Sequence, residues 1–243
     1  MRIGVDLGGT KIEVVALADD SGELLRERVA TPQGNYLGTV MAVAGLVEAV
    51  ESRLGRRGSV GIGIPGAESL PSGLIKNANS TCLIGKPLRR DLQALLQREV
   101  RLANDANCFA LSEAIDGAGA GAAVVFGVIL GTGVGGGLVL HGKPLVGVNA
   151  IAGEWGHNPL PLPTADDLPL PPCYCGRAGC VETYLCGPAL AADHARRHGD
   201  DLAPAAIARR AAAGDGACTA TLARYEERLA RAWRASSISS TRM

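Results

Sequence analysis

Short apolar runs, many of them β-branched, recur through the first part of the chain and are bounded by glycine, proline, serine or asparagine. Runs of this kind are typical of buried strands. They predict strands at Arg2–Val5, Ile12–Leu17, Leu24–Ala30, Ser59–Ile64, Val100–Leu102, Ala123–Leu130 and Leu138–His141. Apolar residues at helical spacing predict helices at Tyr36–Leu54, Leu88–Arg98 and Asn104–Ala114, and helical structure from Ala189 onwards. The order strand, hairpin, strand, helix, strand, with a similar theme after residue 104, predicts a mixed α/β protein with two related halves.

Composition and charge narrow the possible classes of protein. Twenty-four basic residues balance twenty-four acidic ones, so no global field favours nucleic acid or an anionic membrane. No apolar run approaches the ~20 residues that span a bilayer, and Met1–Asp6 reaches an acidic residue too early for a signal peptide. We therefore expect a cytoplasmic protein with no nucleic-acid or membrane partner. Four of its seven cysteines are predicted to be ordinary, mostly buried thiols: Cys82, Cys108, Cys186 and Cys218.

A histidine and three cysteines near the middle of the chain form a candidate metal site. Four such donors are what a closed tetrahedral zinc site requires, and here they are His157, Cys173, Cys175 and Cys180. Alone, the histidine would more often be a core residue. Glu154 and Glu182 flank the set; they are either solvated surface acids or carboxylates that the zinc loop positions.

Two glycine-rich segments are candidate phosphate-binding loops. Asp6–Lys11 offers glycine amides, Thr10 and Lys11 to an anion, and the alternative is a plain Gly-Gly hairpin. Gly131–Gly137 matches the dinucleotide pattern Gly-x-Gly-x-x-Gly, but the chain continues as a strand where that motif needs a helix. A second strand-turn-strand phosphate loop fits better.

Asp105 is the best candidate for a general base. It stands at a predicted strand end between two asparagines, where a carboxylate could take a proton from a hydroxyl that attacks a γ-phosphate. The alternative is that Asp105 only caps the following helix.

Six motifs, in this order, resemble those of the ROK family (repressors, open reading frames and kinases). They are Asp6-Leu-Gly-Gly-Thr-Lys11, Gly63-Ile-Pro-Gly66, Asn104-Asp-Ala-Asn107, Leu130-Gly-Thr-Gly-Val-Gly-Gly-Gly137, Gly153-Glu-Trp-Gly-His157 and Cys173-Tyr-Cys-Gly-Arg-Ala-Gly-Cys-Val-Glu182. The resemblance implies an actin-like ATPase (ribonuclease H-like) two-domain fold, with ATP and sugar in the cleft between the domains. It implies an N-terminal ATPase-like domain at 1–103, an incomplete C-terminal sugar- and zinc-binding domain at 104–232 and an aberrant tail at 233–243.

The resemblance also implies residue roles. Asp105 would be the base that activates the sugar 6-hydroxyl. The other hydroxyls would be held by Asn79, Asn104, Glu154, His157 and Glu182. ATP phosphates and Mg²⁺ would be held by Gly4, Asp6, Gly8, Gly9, Thr10 and Lys11 and by Gly131, Thr132, Gly133, Gly135, Gly136 and Gly137. A structural Zn²⁺ would be bound by His157, Cys173, Cys175 and Cys180.

Among family members, Lys76-Asn-Ala-Asn-Ser-Thr81 and the motifs around Asp105 and His157 most resemble bacterial fructokinases that also act on mannose. We therefore expect an ATP:hexose 6-phosphotransferase that converts fructose to fructose 6-phosphate, and a homodimer is usual in such families. The alternatives within the family are an N-acetylglucosamine kinase or a glucokinase. A non-enzymatic alternative is a sugar-responsive regulator or a sugar- and zinc-binding remnant. Because the first glycine loop begins at Asp6, we expect the DNA-binding segment of a regulator to be absent.

The end of the chain departs from the family pattern. Family members continue with a segment like Ile-Leu-Asp-Pro-Asp-Val-Ile-Val-Leu-Gly-Gly-Gly, whereas this chain ends in Trp233–Met243. With suitable codons, a one-base shift converts Trp233–Met243 into Leu-Ala-Arg-Val-Ile-Asn-Ile-Leu-Asp-Pro-Asp. We therefore expect a single-base deletion near Ala232 that truncates a sugar kinase and leaves it poorly stable and nearly inactive; the alternative is a genuinely short homologue.

Overall fold

A computed structural model of the chain describes residues 1–240, so the last three residues of the predicted tail lie outside the described part. The chain forms two compact units. The first comprises Met1–Val125 and Gly137–Ala152, and the second comprises Phe126–Gly136 and the residues from Gly153 onwards. Within the described residues, no helix combines the length and apolar character needed to cross a membrane.

The described residues form ten strands and seven α-helices. The strands are β1 (Arg2–Leu7), β2 (Lys11–Leu17), β3 (Glu23–Ala30), β4 (Ser59–Ile64), β5 (Ala67–Glu68), β6 (Ile75–Lys76), β7 (Val100–Asn104), β8 (Val124–Leu130), β9 (Val134–Leu140) and β10 (Lys143–Pro144). The helices are α1 (Tyr36–Leu54), α2 (Leu88–Leu96), α3 (Asp105–Ile115), α4 (Glu182–Leu185), α5 (Gly187–His198), α6 (Pro204–Ala212) and α7 (Gly216–Ser240). Two short 3₁₀ helices lie at Thr81–Leu83 and Ala165–Asp167.

The first unit is built on a five-stranded mixed sheet in the order β3-β2-β1-β4-β7. Strand β1 pairs antiparallel with β2 and parallel with β4, and β4 pairs parallel with β7. Alternate residues of β1 and β2 are buried and pack with α1 and α2 into one apolar core. Helix α1 has the predicted bounds because Asn35 caps its first turn and Gly55 ends it in the left-handed conformation.

A three-stranded sheet has the order β10-β9-β8, and it corrects one predicted strand boundary. Strand β9 begins at Val134, not at Leu138, so glycines predicted to lie in a loop are part of the strand. Gly136 is needed there for space, since a Cβ on it would lie 2.7 Å from the Gly153 carbonyl oxygen. A Cβ on Gly137 would similarly overlap the Ala106 carbonyl. The glycines therefore permit close packing along β9.

The second unit is mainly helical. Trp155, Leu160, Val181, Tyr184 and Leu185 are buried in its core, and they pack together with side chains of β8 and α7. The predicted aberrant tail is helical over its described residues, because α7 continues without a break to Ser240.

The proline-rich segment 159–172 contains the 3₁₀ turn Ala165–Asp167. Two smaller expectations also need correction. Helix α2 ends at Leu96, before the predicted Arg98. Cys108 is exposed, although the burial expected for Cys186 and Cys218 is confirmed.

Candidate active site

Asp105 is held at the junction of β7 and α3 in the first unit. The preceding residue, Asn104, is the helix cap: its Oδ1 accepts a hydrogen bond from the Asn107 amide at 3.2 Å. Its Nδ2 donates to the Gly66 carbonyl at 3.0 Å. Since Asn104 caps the helix, Asp105 is not required for that role, and its Oδ1 accepts from the neighbouring Ala106 amide at 2.8 Å.

The electrostatic surroundings of Asp105 favour proton uptake. Although the residue as a whole is exposed, burial of its carboxyl group is the main cause that raises its pKa, and the Asp6 carboxylate raises it further. The pKa of Asp6 is itself raised, first by burial and then by Glu13, while Lys11 lowers it. Two neighbouring carboxyl groups with raised pKa values are a common feature of catalytic or cation-binding sites.

The Asp6–Lys11 segment forms the predicted hairpin between β1 and β2. The Gly8 amide donates to the Lys11 carbonyl at 3.0 Å, and Thr31 Oγ1 donates to the Gly8 carbonyl at 2.7 Å. Gly4 lies farther back, inside β1, where it pairs with Val15 and Gly61.

A cavity of about 240 Å³ adjoins this hairpin within the first unit. Gly9 and Asn79 both line it, together with Thr31, Gln33 and Ser80. The structure thus brings Asn79, a predicted sugar ligand, and part of the predicted phosphate loop to one cavity. The hairpin and the residues that line the cavity offer backbone amides and hydroxyl groups, which are donors of the kind that bind anions.

The four predicted metal ligands come together in the second unit. The ligand atoms of His157, Cys173, Cys175 and Cys180 all lie within 4.8 Å of one another. His157 Nδ1 is 3.5 Å from Cys173 Sγ, and the sulfur atoms of Cys175 and Cys180 are 3.6 Å apart. Zn–S bonds of about 2.3 Å and Zn–N bonds of about 2.0 Å at tetrahedral angles require separations of roughly 3.5–3.8 Å. The donor set therefore fits zinc in both chemistry and size, and the sulfur spacing is far longer than the ~2.05 Å of a disulfide.

Glu182 and Glu154 have defined backbone partners in the same unit. Glu182 begins α4, and its Oε2 accepts a hydrogen bond from the Val134 amide at 2.8 Å, at the start of β9. Glu154 Oε1 accepts from the Gly156 amide at 3.3 Å.

The Gly131–Gly133 turn supports the hydrogen bond between Glu182 and the Val134 amide. The Gly131 amide donates to the Gly133 carbonyl at 2.9 Å, and the Gly131 carbonyl accepts from the Gly187 amide at the start of α5. A Cβ on Gly133 would stand 2.7 Å from Glu182 Oε2, so glycine leaves the space that this carboxylate occupies. Thr132 lies within the turn, whereas Gly135, Gly136 and Gly137 belong to β9.

A buried charge network with no counterpart among the predicted features braces the segment before the cysteines. Three arginines on one face of α7, at Arg224, Arg228 and Arg231, reach two buried aspartates, Asp167 and Asp193. The spacing i, i+4, i+7 in an otherwise alanine-rich helix is a signal that could have identified this face.

Asp167 connects this network to α4. Its backbone carbonyl accepts a hydrogen bond from the Tyr184 hydroxyl at 2.9 Å, and the Arg228 guanidinium lies over the Tyr184 ring. Tyr184 is two residues after Glu182 on α4. The network therefore anchors both the proline-rich segment and the short helix that carries Glu182.

Comparison with known proteins identifies the family. A profile described as ROK family matches residues 2–241. A protein named N-acetyl-D-glucosamine kinase from Pectobacterium atrosepticum is 41% identical over 234 residues, which cover 95% of this chain and 77% of that protein. A protein of the same name from Salmonella newport is 46% identical over 235 residues, with the same coverage.

A solved structure agrees with this result. The crystal structure of a ROK family glucokinase from Streptomyces griseus in complex with glucose and AMPPNP is 29% identical, with a TM-score of 0.72. The match covers 92% of this chain and 75% of that one. The chain belongs to the ROK family, and its fold is the actin-like ATPase fold predicted from the motifs.

Proposed function

We propose that this chain is an ATP-dependent sugar kinase whose substrate is N-acetyl-D-glucosamine. The observation that carries the choice of sugar is 46% identity over 95% of the chain to a protein named for that activity. Fructose is the substrate expected from the motifs, with an N-acetylglucosamine kinase or a glucokinase as the alternatives; the relatives favour N-acetylglucosamine.

Asp105 is the proposed general base. A carboxylate with a raised pKa accepts a proton more readily than an ordinary aspartate, and the exposed position of Asp105 at a strand end lets a substrate hydroxyl approach it. Phosphoryl transfer depends mainly on positioning and charge neutralisation, so one aligned base and a set of amide donors are chemically sufficient.

The remaining proposed roles follow the resemblance. The hairpin amides, Thr10 and Lys11 hold phosphate oxygens, and Mg²⁺ accompanies ATP. Asp6, close enough to Asp105 to raise its pKa, is suited to orient water on that cation. The sugar hydroxyls are bound by carboxylate, amide and imidazole groups: Asn79, Asn104, Glu154, His157 and Glu182.

Zinc is proposed to be structural in this chain. His157, Cys173, Cys175 and Cys180 fill all four positions of a tetrahedral ion, which leaves no open position for a reacting water. When bound, the ion would fix the loop that carries His157 and would hold Glu182, two residues after Cys180, in place.

The test measures sugar binding and phosphoryl transfer separately, so that a loss of binding is distinguished from a loss of turnover. N-acetylglucosamine, glucose and fructose are titrated calorimetrically into zinc-loaded protein, and kcat/KM is then measured for each sugar with ATP. We expect N-acetylglucosamine to bind most tightly and to have the highest kcat/KM. Glu182→Gln should weaken binding of that sugar at least tenfold, since a charged acceptor is lost. Preference for fructose would reject the proposed substrate, and absence of binding by all three sugars would reject the proposed function.

A further inference from the structure

Strand β8 and helix α7 form an open apolar groove in the second unit. The groove has a volume of about 590 Å³; Val128 and Leu130 of β8 form one wall, and residues of α7 between Glu226 and Arg234 form the other. Two large apolar side chains remain open in it, since Trp233 is 45% exposed and Leu130 is 36% exposed. Apolar side chains that are exposed together in one place mark a surface for a partner.

Strand β8 is also open along one edge. Within the part of the chain that the structure describes, β8 pairs with β9 alone, because the sheet order is β10-β9-β8. Its seven residues, Val-Val-Phe-Gly-Val-Ile-Leu, include no charged residue and no proline that would protect this edge. An unprotected apolar edge favours association with another polypeptide. We therefore expect a protein surface, and not a small molecule, to cover the groove.

The charges of the groove indicate which protein surface fits it. Glu226 and Arg234 are exposed, and they stand four residues before and four residues after Ala230 on one row of α7. Each therefore lies roughly 6 Å along the helix axis from Ala230, whose small side chain lets a second helix approach. A partner must present a base to Glu226 and an acid to Arg234 at the same spacing. A second copy of α7 that crosses antiparallel at Ala230 does so, because it places the partner's Arg234 beside Glu226 and the partner's Glu226 beside Arg234.

We propose that two copies of this chain associate through the groove, with their α7 helices antiparallel and crossing at Ala230. The arrangement has two-fold symmetry, so the ion pair between Glu226 and Arg234 forms twice. Trp233 lies in the interface between the two charges and becomes covered, as aromatic side chains at the centre of protein interfaces are. The association involves neither sugar nor nucleotide, so it is independent of the proposed function.

The test is sedimentation equilibrium of the 243-residue chain from low to high micromolar concentration. We expect a reversible dimer. Glu226→Arg and Arg234→Glu each place like charges opposite one another at two points of the interface, so each should raise the dimer dissociation constant at least tenfold. The double variant exchanges the two charges and restores both attractions, so its dissociation constant should return to within about threefold of the wild-type value.

Glu99→Arg is the matched control. It makes the same charge change at an exposed ion pair with Arg101 in the first unit, and it should leave the dissociation constant unchanged. Thermal melts of all the variants check that these exposed substitutions leave the fold intact. A wild type that is monomeric at every concentration would overturn the proposal and would mean that something other than a second copy covers the groove. A dimer that both single variants leave intact, or that the double variant does not restore, would overturn it as well.

Discussion

Replacing Asp167 by asparagine should destabilise the second unit more than any conservative surface change. The Asp167 carboxylate is 1% exposed and accepts from Arg228 Nε at 2.8 Å, from Arg231 Nη2 at 2.9 Å and from the Thr164 amide at 2.7 Å. An asparagine amide would turn donor groups toward a guanidinium and leave two arginines without their buried counter-charge.

The loss of folding stability expected for Asp167→Asn can be worked out in two ways. Burial works against the Asp167 carboxylate, but the hydrogen bonds from Thr164, Arg228 and Arg231 overcome it and lower its pKa from 3.8 to about 2. That difference corresponds to roughly 2 kcal/mol of stability at neutral pH. Removing one partner of a buried ion pair typically costs about 3–5 kcal/mol. A loss of about 3 kcal/mol lowers Tm by roughly 6–12 °C in a chain of this size.

The pH dependence provides a second check. Because the folded pKa lies below the ordinary value, the stabilisation is fully present above about pH 4 and disappears as the pH falls through about 2. The difference in Tm between the wild type and Asp167→Asn should therefore be largest at neutral pH and shrink on acidification.

Thermal melts and urea unfolding at pH 7 measure the effect. Asp200→Asn is the matched control, since Asp200 pairs with Arg210 at 2.7 Å but both side chains are 49% exposed; exposed pairs contribute about 1 kcal/mol or less. If Asp167→Asn melts within a degree of this control, the buried network does not stabilise the unit as argued.

Three other changes test separate parts of the account. Because burial and Asp6 raise the pKa of Asp105, the acidic limb of the pH profile of kcat/KM should lie above pH 3.8. Asp6→Asn should move this limb to lower pH, and an unmoved limb would contradict the coupling between the two carboxyl groups. Cys175→Ser should reduce zinc from one ion per chain to near zero and lower Tm, as measured by metal analysis and melting. Gly133→Ala should push Glu182 off its backbone partner and raise KM for the sugar roughly tenfold, whereas an unchanged KM would show that this space is not needed.

Two conservative variants serve as controls for these experiments. Cys82→Ser changes a half-buried thiol that is outside the metal cluster and should keep the zinc. Gly45→Ala adds a methyl group in α1 where no atom lies within 4 Å, and it should leave KM unchanged.

Sequence patterns predict most of the first unit because its signals are local. Helix α1 has a capping asparagine and a terminal glycine, so both of its ends are marked. The start of β9 was missed because glycine has no side chain with which to show an alternating apolar pattern. Its glycines serve close packing against Gly153 and Ala106, which are distant in sequence.

The candidate site likewise has features that the sequence predicts and features that it does not. Four metal donors and Asp105 stand out by residue type and spacing, and the structure gathers the four donors in one cluster. The role of Asp167 depends on arginines more than 60 positions away that folding brings to it. The spacing of these arginines marks one face of α7, but nothing local in the sequence names the aspartate as their partner.

The most direct test of the central claim is ³¹P NMR of zinc-loaded protein incubated with MgATP and N-acetylglucosamine, beside Asp105→Asn. At protein concentrations close to those of the substrate, even slow turnover gives a visible sugar phosphate signal. The account predicts a phosphomonoester that appears with ADP in the wild type and forms at least a hundredfold more slowly in Asp105→Asn. Equal rates in the two proteins, or ADP formation without a sugar phosphate, would contradict it.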